Sequence, residues 1–163
     1  MDAVATKQML RLAKDIQSLC PPATGPEDSS VKSLFDYLVT ESEIRNCCCQ
    51  LYEHGHFARA VEEAFKCLNN YVKDKARSTD DGSSLMRTAF SPNNPKLKLN
   101  RLKTKSDKDE QLGYMEIYSG CMTGIRNPRA HEHEHKDDPE VALELITWAN
   151  HLMRRARQAR RGK

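Results

Sequence analysis

Two side chains suited to phosphate chemistry lie close together in Arg126-Asn127-Pro128-Arg129-Ala130-His131. Arginine presents a rigid fork of donors matched to phosphate oxygens. Histidine takes or gives a proton near neutral pH. A permanent cation beside a titratable imidazole is what phosphodiester cleavage needs. Taken alone the pair is unspecific, because an exposed loop arginine and a helix-capping histidine fit the same spacing.

Other chemistries fare less well. In His131-Glu132-His133-Glu134-His135, alternating residues of an extended segment would put three imidazoles on one side, as zinc requires. No cysteine or carboxylate is placed as a fourth ligand, so no metal or other cofactor is expected. His54 and His56 flank a tight corner and read as structural or exposed. No Gly-x-Ser-x-Gly nucleophile motif and no Gly-rich phosphate loop is present. The six cysteines, at 20, 47, 48, 49, 67 and 121, include no Cys-x-x-Cys pair, which argues against a metal site or a secreted disulfide framework.

The elements that must position the motif are helical. Leu112, Met115, Tyr118, Met122 and Ile125 form one stripe, and Arg126, eleven residues beyond Met115, leaves at its buried edge. Pro128 disfavours helix at Asn127, which predicts a polar turn at 126–131. The closing helix, Pro139–Ala159, shows Val141, Leu145, Trp148, Leu152 and Ala156 on one side. Asp137 and Asp138 precede it as caps, with Pro139 at a favourable first position.

Upstream, Thr40 with Glu43 offers a capping box for a helix carrying Ile44, Cys48 and Leu51. After the Gly55-His56 corner come Phe57, Val61, Ala64, Phe65, Leu68 and Val72, the strongest helical period in the chain. These two helices predict a hairpin. Between Lys75 and Gln111 the pattern weakens, predicting an ordered insert with one or two short helices or a small hairpin. Residues 1–38 read as an amphipathic helix and Pro-rich linker, and 39–163 as the main domain.

Hydrophobic residues make up 38% and charged residues 30%, a balance that suits thin apolar stripes on a helical bundle. No strand-period run appears, so the fold class is all-α. The net charge of +3 argues little, but its distribution is uneven. Lys96, Lys98, Arg101, Lys103, Lys105 and Lys108 form one basic run, and Arg154 to Lys163 another, with no acid after Glu144. Such runs follow a phosphate backbone or, in the tail, complement a helix end. No apolar signal core or membrane-length run is seen, so a cytoplasmic protein with reduced thiols is expected.

Gly124-Ile125-Arg126-Asn127-Pro128-Arg129-Ala130-His131-Glu132 resembles the signature of the HEPN superfamily, and specifically its Ymh-like branch. That superfamily carries Arg, four to six residues, then His, often with a polar residue directly after the Arg. Gly55 to Lys66 is similar to the branch's central helix, Ser84-Leu85-Met86 through Ala89-Phe90-Ser91-Pro92 to its insert, and Gln111 to Met115 to its third helix. The resemblance covers roughly Glu41 to Ala156.

It implies a bundle of four or more helices with an inserted region between the second and third, commonly a homodimer with facing motifs. It also implies a metal-independent endoribonuclease, of the kind that serves as a toxin or in phage defence, with an antitoxin or defence-system partner. Arg126, Asn127 and His131 would then be catalytic, and Arg129, Lys103, Lys105 and Arg154 would contact RNA. Glu63 and Lys66 would support the site from the central helix. The alternative is a silent domain of the same type that binds RNA, nucleotide or protein.

Overall fold

The computed structural model describes residues 34–131 and 135–162. The helix and linker expected before residue 34 lie outside that range. Six helices follow: α1 Ser42–Glu53, α2 Phe57–Ala76, α3 Gly82–Phe90, α4 Lys105–Cys121, α5 Asn127–His131 and α6 Pro139–Gln158. Only two strands interrupt them among the described residues, β1 Leu97–Lys98 and β2 Arg160–Arg161, each two residues long. The all-α class holds.

The α1–α2 hairpin turns at Gly55, whose φ of +77° lies in the left-handed region that glycine tolerates. Val61, Ala64, Phe65, Leu68 and Val72 of α2 are fully buried, as their spacing predicts. Helix α6 packs on both hairpin helices. At one end Tyr52 donates to the Pro139 carbonyl and its ring meets Phe57 edge-on. At the other, Lys75 Nζ donates to the carbonyls of Ala156 and Arg157. Helices α2 and α6 therefore run parallel, with their N-termini together. Because Phe65 is sealed in this core, Phe65→Ala should cost about 3–5 kcal/mol, read as a lowered denaturation midpoint.

The compact unit begins at Phe35, a few residues before the expected boundary. Phe35 stacks on Tyr52 with ring centroids 5.0 Å apart, which draws this segment into the core.

Several sequence expectations need correction. The capping box at Thr40 does not form: Glu41 is the N-cap of α1 and makes no side-chain cap bond. Instead the backbone N–H groups of Thr40 and Glu41 donate to Asn150 Oδ1, so a buried α6 asparagine closes this helix start. Trp148 belongs to the solvent side at 53% exposed, and Ile146, Ala149 and Met153 fill the core in its place. Leu112 is likewise exposed. Its neighbour Gln111 is buried, accepting from Leu99 N and donating to the carbonyls of Phe90 and Leu97. That clasp fastens the insert to α4. The capping box that does form is Thr104 with Asp107, which starts α4 earlier than the apolar stripe suggests.

The closing helix runs Pro139–Gln158 with Ala159 as its C-cap, as expected. Past Ala159 the chain extends and pairs antiparallel with the insert, Leu97 against Arg161 and Lys98 against Arg160. Of the two arrangements expected for the insert the short helix is the one present, as α3, and the insert's one strand finds its partner at the far end of the sequence.

Candidate functional site

Pro128 does not break the chain into a turn. Residues Met122–Arg126 form a π-helical turn and Asn127–His131 continue as α5. A proline ring inside an α-helix collides with the carbonyl four residues back. Widening the preceding turn relieves that collision: Asn127 N–H donates to Met122 O, five residues back. Single π turns of this kind concentrate at functional sites in proteins at large. The π turn and α5 both lie against α2, so the central helix is the platform for the motif.

Asn127 and His131 stand four residues apart on α5 and therefore share one face. Arg126 leans toward that face, because its Nη1 donates to Asn127 Oδ1 at 3.2 Å. Asn127 thus brings the cation and the imidazole to the same side. Arg126 Nε is buried and has no hydrogen-bond partner, and no carboxylate pairs with the guanidinium among the described residues. A buried donor without an acceptor costs about 1–3 kcal/mol, a cost that an incoming anion would remove. His131 is exposed and has no partner among the described residues. Of the three residues assigned to catalysis, Arg126 and Asn127 are hydrogen-bonded and His131 stands one helical turn beyond Asn127.

Arg129 behaves differently from its sequence reading. Its Nε and Nη2 each donate to Asp137 at 2.6 Å, and Nη1 donates to Ile125 O at 2.8 Å. The two side chains are 7% and 5% exposed. The fork that was expected to reach RNA instead clamps α5 to the segment leading into α6. Asp137 is correspondingly not a cap; Asp138 alone caps α6, accepting from Val141 N.

The remaining assigned residues lie apart from the motif's own contacts. Glu63 takes Arg59 at 2.6 Å and Lys66 at 3.3 Å, forming a charge cluster along α2. Neither Glu63 nor Lys66 forms an ion pair with Arg126 or His131 among the described residues. Arg154 donates to Thr40 Oγ1 and pairs with Glu41, tying α6 to the start of α1. Lys103 and Lys105 are exposed at the start of α4, without ion pairs among the described residues.

Sequence reasoning missed Asp137, and it missed a cleft of about 400 Å³ lined by Gly55, His56, Phe57, Arg59, Lys136 and Asp137 among others. The cleft opens between the first turn of α2 and the segment that holds Arg129. The Asp137-Asp138-Pro139 run carried a signal, since one helix start needs only one capping carboxylate.

Two of the described cysteines, Cys47 and Cys121, are poorly suited to act as nucleophiles. Hydrogen bonding with Cys48, together with burial, pushes the Cys47 thiol up to about 12, and burial alone pushes Cys121 up to about 11. Both stay protonated near neutral pH. His133 lies outside the described residues, and His135 Nε2 sits 3.4 Å from Asp137 Oδ1. No described helix is long and apolar enough to cross a membrane.

Residues 39–156 match the family model described as "Protein of unknown function (Hypoth_ymh)". No curated protein and no solved structure is similar enough to match.

Proposed function

The chain belongs to the Hypoth_ymh family, and on that footing we propose that it is a metal-independent endoribonuclease of the HEPN type. The observation that carries this reading is the Arg126 guanidinium, which among the described residues has no carboxylate partner and a buried N–H lacking an acceptor, held beside Asn127 on the face that bears His131. Such a site suits a phosphodiester. Arg126 would bind a non-bridging oxygen and offset the charge that grows there in the transition state. The ribose 2′-oxygen attacks phosphorus as its proton passes to a base. The bond to the 5′-oxygen breaks as an acid protonates that oxygen, leaving a 2′,3′-cyclic phosphate and a 5′-hydroxyl.

One α5 carries one such imidazole, whereas the reaction uses both a base and an acid. A homodimer with motifs facing across the two-fold axis supplies two. In support, Val141 and Trp148 are exposed on α6 with Leu145 half-buried between them, an apolar stripe beginning four residues after Asp137. A second copy covering it would lie next to the motif. Trp148→Asp is expected to shift the protein from dimer to monomer in sedimentation and to abolish cleavage. A dimer of unchanged affinity would place the interface elsewhere. A toxin or defence role, with a matching partner, fits this chemistry and rests on the resemblance alone.

Labelled tRNA and total RNA incubated with purified protein in excess EDTA test the reaction, with product ends identified by their susceptibility to kinase and phosphatase. Intact RNA under all conditions would favour a second reading, a silent domain that binds RNA, nucleotide or protein. The lack of any partner orienting His131 among the described residues supports that alternative.

A further inference from the structure

We propose that the end of the bundle remote from the motif is a second, separate site for a nucleic-acid backbone, assembled by the β1–β2 ribbon. The inference rests on the reading of the chain as an RNA-acting protein and adds where the flanking RNA is held. Two basic runs far apart in sequence meet here because Lys98 pairs with Arg160 and Leu97 with Arg161.

Two clefts adjoin the ribbon and share Lys98. One, of about 320 Å³, is also lined by Arg101, Asn100, Gln158 and Arg160. The other, of about 410 Å³, is lined by Asn93, Asn94 and Lys108. Lys98, Arg101, Lys108 and Arg160 have no ion-pair partner among the described residues. The carboxylate in the first cleft, Asp107, accepts from the backbone N–H groups of Lys103 and Thr104, and these bonds hold it below the usual range. Glu110 nearby is taken by Arg155 and Asn100.

The contrast within one helix is informative. Arg154, Arg155 and Arg157 are neutralised by Glu41, Glu110 and Glu43. Arg160, just past the helix end, has no ion-pair partner among the described residues and gathers with Lys98, Arg101 and Lys108 around two clefts with amide linings. A row of unneutralised cations and amides suits phosphates and sugar edges without demanding a sequence. The site lies at the C-terminal end of α6 and the motif at its N-terminal end. A helix of 20 residues separates them by about 30 Å, so one RNA would have to extend along the bundle to touch both.

The ribbon depends on Gly162. Its N–H donates to Lys96 O, and a Cβ added there would lie 2.1 Å from Pro95 O. Gly162→Ala therefore disturbs the juxtaposition without changing any charge.

The test is binding of labelled RNA in an uncleaving His131→Ala background, titrated across salt concentrations. Adding Lys98→Ala, Arg101→Ala, Lys108→Ala and Arg160→Ala together should weaken binding at low salt by about 10²-fold or more. It should also flatten the slope of log affinity against log salt by about 3, four lost phosphate contacts on a single strand. Gly162→Ala should weaken binding in the same direction with net charge unchanged, its far-UV circular dichroism reporting an intact bundle. Unchanged affinity and slope in the quadruple variant would overturn the proposal while leaving the ribonuclease reading intact. Binding that needs the four cations in a wild-type protein that cleaves nothing would sustain this site and remove the enzyme. Failure to bind RNA at all would overturn both.

Discussion

Replacing His131 with alanine is expected to slow RNA cleavage by about 10²–10⁴-fold, the scale of a lost general acid or base. Arg126→Ala should cost about 10²–10³-fold, as removal of one transition-state donor does. The two losses should separate in binding, because Arg126 holds a ground-state phosphate and His131 only moves a proton. Arg126→Ala should therefore weaken substrate affinity, and His131→Ala should leave it nearly intact. Asn127→Ala should fall between them. It frees the Arg126 Nη1 that Asn127 Oδ1 now holds, and so removes orientation rather than chemistry. Cleavage should persist in excess EDTA, and a substrate with a 2′-deoxy sugar at the cleaved position should be inert. His133→Ala and His135→Ala should retain most activity. A zinc site built from the same loop forecasts the reverse, with activity lost in chelator and all three histidines mattering about equally. Recovery of activity on adding metal would end the proton-transfer mechanism proposed for His131.

Much of the fold could be read from sequence because burial leaves a period. The α2 stripe from Val61 to Val72 is buried residue for residue. The reading failed where a local rule had two solutions. Pro128 predicts a helix stop when only i→i+4 geometry is considered, yet a π turn accommodates the ring and keeps the motif helical. Trp148 lies on a helical period that also describes the outer face of α6, and spacing alone cannot say which face meets the core. Thr40 offered a capping box, but Asn150 from α6 accepts the Thr40 N–H that Glu43 would have taken, and the Glu41 N–H as well, a tertiary contact with no local trace. The β1–β2 ribbon has two residues on each side, too few to show alternation. At the site, Arg126, Asn127 and His131 were legible from residue type and spacing. Arg129 was not, since its partner lies eight residues on, in a run that also reads as a cap.

That partner gives the largest expected effect on stability outside the hydrophobic core. The side chains of Arg129 and Asp137 are each less than a tenth exposed and joined by two bonds of 2.6 Å. Asp137→Ala would leave the guanidinium buried with, among the described residues, only the Ile125 carbonyl as acceptor. Breaking a buried pair by removing one partner costs about 3–5 kcal/mol, which for a domain of this size lowers the melting temperature by about 10 °C or more. The pair also clamps α5 to the entry of α6, so activity should fall even at temperatures where the variant is folded. Pairing Arg129→Met with Asp137→Leu separates the two roles. Apolar side chains of similar volume commonly replace a buried ion pair without loss, so the double variant should recover most of the melting temperature. If α5 is held in place by packing alone, the double variant will cleave RNA as well as it melts. If the clamp sets the angle at which His131 faces the phosphate, stability will return and cleavage will not. An Asp137→Ala protein that melts like the wild type would show that the clamp contributes nothing to holding the motif.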